Sequence, residues 1–101
     1  LNQFKRENIT LLNSIYGVKT LSAYSSGGLA IAKTGKEWSV YHCESGINIY
    51  YRLSRKTLSE AKTVVSSLLA LPIKWVGTEA EVMKVLGKHG KAIRDIAENR
   101  G

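Results

Sequence analysis

The sequence predicts a single α+β domain over residues 1–101: an N-terminal helix, a three- or four-stranded antiparallel meander, then two or three C-terminal helices. Three observations carry that prediction. From Val18 the apolar residues alternate as in half-buried strands, and the runs are separated by the turn signals Gly27-Gly28, Gly35-Lys36 and Glu44-Ser45-Gly46. Downstream, two Thr-x-x-Glu spacings, Thr57 with Glu60 and Thr78 with Glu81, open runs of helical period. Finally, 101 residues support one core rather than two, and 44% hydrophobic with 23% charged residues is the balance of a folded chain.

Each element follows in order. Residues 3–16 space Phe4, Ile9, Leu12, Ile15 and Tyr16 as one stripe of a short helix, with Gly17 as its stop. The meander then reads "VKTLSAYSS", "GLAIAKT", "EWSVYHC" and "INIYYRL". Alternation sets Trp38, Val40 and His42 opposite Ser39, Tyr41 and Cys43 in the third run. In the fourth it sets Ile47, Ile49, Tyr51 and Leu53 opposite Asn48, Tyr50 and Arg52, and the apolar set is the expected core face. The other face would then present Tyr41, Tyr50, Ser39, Asn48 and Arg52 as a polar surface. A helix begins after Thr57, buries Leu58, Ala61, Val65, Leu68 and Leu69, and closes at Pro72. "IKWV" is a connector or short strand, and Thr78 starts the last helical region.

Charge narrows the partner. Fifteen Lys and Arg against eight Asp and Glu leave +7 on a small domain, which favours a polyanion. The basic residues are dispersed over folded elements rather than gathered in one cluster, so nucleic acid is expected ahead of a membrane. No apolar run approaches the roughly 20 residues of a membrane span, and "LNQFKRENIT" lacks a signal-peptide core. One cysteine, Cys43, forms no internal disulfide, so the expected location is the cytoplasm. Leu1 in place of Met suggests a start that was trimmed or renumbered.

The sharpest feature is "VLGKHGKAIRDI". Val82, Leu86, His89, Ile93 and Ile96 keep one helical stripe through both glycines, so residues 79–98 read as one helix in which each interior Gly costs about 1 kcal/mol against Ala. The same residues also read as helix, Gly-Lys-His-Gly loop, helix, and both readings stand. In the second form the segment, within residues 82–101, resembles the signature of KH nucleic-acid-binding domains. That resemblance implies a loop of Gly87, Lys88, His89 and Gly90 whose backbone approaches a single strand, with Lys91 and Arg94 adding charge. A Gly-containing turn between short helices also suits a helix-turn-helix, in which Lys91, Arg94 and Arg100 would enter a major groove. Upstream, three strands followed by "RKTLSEAKTVVSSL" resemble the arm-site DNA-binding domain of phage-type tyrosine integrases. That likeness implies a reading surface of Tyr41, Asn48, Tyr50 and Arg52 and a phage or mobile-element origin.

Other chemistry has weaker support. His42 and Cys43 are adjacent in a strand and so face opposite sides, with no second pair to complete a zinc site. His89 and Asp95 lie six residues apart, on different helix faces, and "SSGGLAIAKTGK" lacks the Gly-Lys-Ser/Thr ending of a phosphate loop. Trp38 and Trp75 read as core or interface anchors. The expectation is therefore a non-catalytic nucleic-acid-binding protein, an accessory or regulatory factor of a phage, plasmid or other mobile element. Its partner would be DNA or RNA, with a homodimer open and no metal, cofactor, membrane or small-molecule substrate. Phosphate contacts would come from Arg52, Arg55, Lys56, Lys62, Lys88, Lys91 and Arg94, with base preference from Tyr41, Asn48 and Tyr50. The alternative is a protein-interaction module, an inhibitor or homodimerising subunit, using the aromatic sheet face or Trp75.

Overall fold

The computed structural model describes residues 3–14, 17–75 and 77–99, with no side-chain description for residues 12–14 and 17–19. Strands β1 (Lys5–Ser14), β2 (Gly17–Ser26), β3 (Leu29–Thr34) and β4 (Glu37–His42) form an antiparallel meander in the order β1-β2-β3-β4. A 3-10 turn (Tyr51–Leu53) and helices α1 (Leu58–Leu69), α2 (Glu79–Lys88) and α3 (Gly90–Glu98) follow. The α+β class and the meander hold. The expected N-terminal helix does not form: that segment is β1.

The misreading has a physical cause. Ile9 and Leu11 also fit a two-residue period, and pairing with β2 decides between the periods: Ile9 lies opposite Leu21 and Thr10 opposite Thr20. Ile15, Tyr16 and the side chain of Leu12, part of the helical stripe, fall outside what is described. The tight turn that follows β2 needs its glycines. Gly27 and Gly28 both have positive φ, the signature of a type I′ hairpin, and a Cβ on Gly28 would strike the Trp75 carbonyl.

Both faces of the sheet are covered, by different elements. Leu29, Ile31 and Val40 pack under Ala61, Val64, Val65 and Leu68 of α1, in a core that also holds Trp75, Val82, Ile93 and Ala97. On the other face, Ala30, Ala32 and Tyr41 are buried against Ile9, Leu11 and Ala23. β2 pairs with β3 only from Tyr24 to Ser26, so the rest of the β1–β2 ribbon is free to curl back over the sheet. This corrects the expected polar face. Tyr41 is buried beneath a strand pair whose first strand was expected to be a helix, and Ser39 is buried with its hydroxyl hydrogen-bonded to those of Thr34 and Ser54.

"INIYYRL" is likewise not a regular strand. Residues 47–55 run back along β4 and pair with it only at Tyr41–Asn48 and Trp38–Arg55, with the 3-10 turn between. The apolar set is correctly placed at Ile47, Ile49 and Leu53, all buried, while the turn swings Tyr51 out to 68% exposure. The helix starts follow the threonines. Thr57 Oγ1 accepts from the Glu60 N–H at 3.2 Å, and Thr78 with Glu81 makes the full reciprocal capping box.

Candidate nucleic-acid interface

Residues 79–98 form two helices that meet at a single residue, His89, which ends α2 and begins α3. The expected four-residue loop is therefore much shorter, since Gly87 and Lys88 lie in the last turn of α2 and Gly90 is the first residue of α3. Neither glycine has positive φ, and a Cβ built on either meets nothing within 4 Å. The fold itself does not require glycine at these positions.

The start of α3 differs from those of the other two helices. The first N–H groups of a helix lack intrahelical acceptors, and α1 and α2 supply a threonine cap and a first-turn glutamate. At α3 the His89 side chain makes no cap hydrogen bond, and no acidic residue lies in the first turn. Exposed Lys88, Lys91 and Arg94 surround it. Free amides at the positive end of the helix dipole, flanked by cations, favour an anion.

An apolar groove of about 230 Å³ adjoins this helix start, lined by Ile49, Tyr50, Leu86, Gly90, Ile93 and Arg94. Three residues singled out in the sequence, Tyr50, Gly90 and Arg94, thus share one wall system. Tyr50 meets Tyr51 edge-on at 5.3 Å between ring centroids, and Arg52 Nε donates to the Tyr51 hydroxyl at 3.1 Å, which pushes the fully exposed guanidinium's pKa further up. Lys88 and His89 line a separate cleft of about 420 Å³ on the Pro72–Trp75 side, together with Lys74 and Lys84. The helix junction therefore stands between two clefts.

The other expected contact residues scatter. Tyr41 is buried in the second apolar cluster, and Asn48 beside it is exposed. Arg55 is 5% exposed, with Nη1 donating to the carbonyls of Arg52 and Ser54 and Nη2 to those of Ile96 and Ala97. It closes the end of α3. Lys56 is exposed at the start of α1, and Lys62 lies against Phe4 and Tyr24 on the sheet side of that helix. Ile49, Leu86 and Ile93, which line the groove, read in the sequence only as core positions; their periodicity carried no sign of a cleft.

The remaining reactive groups are held apart. His42 is fully buried, its Nδ1 accepting from the Ser45 N–H at 3.2 Å, which leaves Nε2–H to donate to the Trp75 carbonyl at 3.0 Å. Trp75 is a core residue, 3% exposed. Burial, with Glu7 nearby, pushes the Cys43 thiol up to about 11, so it is protonated at neutral pH. Among the described residues no three His, Cys, Asp or Glu side chains cluster as a metal site, and no helix is long and apolar enough to cross a membrane.

Fold and site together define a small α+β domain with an apolar groove beside an uncapped, cation-flanked helix start. Comparisons with protein-family models, curated proteins and solved structures find no match to this chain.

Proposed function

We propose that the chain is a non-catalytic nucleic-acid-binding protein, an accessory or regulatory factor, that holds a strand at the start of α3. The observation that carries this reading is the convergence of Tyr50, Gly90 and Arg94 on one groove at an uncapped helix start. A phosphate would sit against the free amides of the first turn, where the missing side chain of Gly90 allows close approach. Arg94 and Lys91 would add charge, and a base or sugar would pack on Tyr50, Ile49 and Ile93. The arm-site likeness supports the reading less, because it needs Tyr41 on the surface and Tyr41 is buried.

Gly90→Asp tests this cleanly. A carboxylate in the first turn suits the helix dipole, and a Cβ at this position has open space around it, so the fold should be retained while the charge repels from the phosphate position. Fluorescence anisotropy with labelled single-stranded RNA, single-stranded DNA and duplex DNA should show salt-sensitive binding to at least one probe, weakened by about tenfold or more in the variant. No binding to any probe at low salt would overturn the proposal. One observation favours the protein-interaction alternative: β1 ends the sheet with no strand partner on its outer edge among the described residues. Dimer formation in light scattering, together with no nucleic-acid binding, would select it.

A further inference from the structure

A second cationic surface lies on the helix-covered face of the sheet, where α1 stops covering it. Arg6 of β1 is paired across the ladder with Tyr24 of β2, and its guanidinium lies 5.2 Å from the Tyr24 ring centre. The Tyr24 ring in turn meets Trp38 of β4 at 6.2 Å between centroids. Lys33, paired with Trp38, places Nζ 6.0 Å from that ring. From α1, Lys62 reaches over two rings at once, 5.4 Å from Tyr24 and 5.5 Å from Phe4. Three rings and three cations therefore lie together in one strip, with Tyr24 touched by two of the cations and by the Trp38 ring.

Two features separate this strip from ordinary surface decoration. The only carboxylate–cation pair found among the described residues is Lys5 with Glu7, so none of the three cations has an acidic partner within 4.0 Å. Each cation rests on a ring instead of a carboxylate, and a polyanion would supply the counter-charge. The three aromatic residues are also half-buried rather than enclosed, so part of each remains in solvent. Rings interleaved with cations are the pattern that takes a single strand, with bases on the π-faces and phosphates on the charges.

We propose that the strip of Phe4, Arg6, Tyr24, Lys33, Trp38 and Lys62 is a second contact surface for single-stranded nucleic acid. It rests on the nucleic-acid reading of the chain but not on the α3 site. Phosphates displace the lysines from the rings, and the uncovered rings stack bases with little sequence preference.

The test uses the full chain with an unlabelled oligothymidylate of about 12 nucleotides, within the span that compact single-strand sites cover. Trp75 is buried and Trp38 is not, so quenching of intrinsic fluorescence on titration, lost in Trp38→Phe, reports contact at the strip. Lys33→Ala/Lys62→Ala should lower the slope of log affinity against log salt by about 1.4, or about 0.7 for each lost phosphate contact. If Lys33→Ala/Lys62→Ala keeps the wild-type slope, or Trp38→Phe keeps the wild-type quench, the strip is overturned. Gly90→Asp run beside them separates the two sites: its loss with an unaltered strip variant leaves only the α3 reading standing, and the reverse leaves only the strip. Preference for polyglutamate over the oligonucleotide would also overturn the proposal, since it would make the surface a protein-docking site.

Discussion

Arg55 and Lys56 are neighbours in the sequence and near-equivalent in any charge count, yet the fold gives them opposite roles. Arg55 is buried against four carbonyls, two of them at the end of α3, whereas Lys56 is exposed. Removing the guanidinium takes away charged donors, among them the one to the buried Ala97 carbonyl, and hydrogen bonds to charged groups are worth about 1.5–3 kcal/mol. Arg55→Ala should therefore lose at least about 2 kcal/mol in urea denaturation, and Lys56→Ala about 0.5 kcal/mol or less. Equal, small losses would contradict the assigned contacts. Nothing local distinguishes the two residues, because the decisive partners, Ile96 and Ala97, are some forty residues away in the chain. Tyr41 is hidden for a similar reason. Its alternation was legible, but what covers it depends on how the β1–β2 ribbon curls.

At the scale of elements, the readable parts were those specified locally. Both threonine caps, the α1 stripe at Ala61, Val65 and Leu68, and the Gly27-Gly28 hairpin each rest on a few adjacent residues. β1 was not readable, since Ile9 fits a helical period with Leu12 and a strand period with Leu11, and only the distant partners Leu21 and Ala23 select the strand. The α2–α3 junction is intermediate. The paired glycines left one helix or two open, and gave no sign that His89 alone would make the break or that Lys88 and Gly90 would face different clefts. Because Gly87 is an α-helical residue of α2 with open space around it, Gly87→Ala should raise stability by about 0.5–1 kcal/mol. A thermal or urea melt checks this. Destabilisation would mean that the helix does not run through Gly87.

Across the whole molecule, the net charge of +7 is distributed over more than one surface. Lys88, Lys91 and Arg94 surround the start of α3, while Arg6, Lys33 and Lys62 lie over the rings of the sheet, and α1 packs against both the sheet and α3. Composition announced the surplus but not its location, since placing these residues requires strand register and helix packing together. The proposed function stands or falls on whether nucleic acid is held where α3 begins. The most direct measurement is a titration of the ¹⁵N-labelled chain with single-stranded oligonucleotide, followed by amide chemical shifts. Binding at this site should shift Gly90, Lys91 and Arg94 together with Tyr50, in a salt-dependent manner. Shifts that leave those amides unmoved while binding proceeds elsewhere would contradict it.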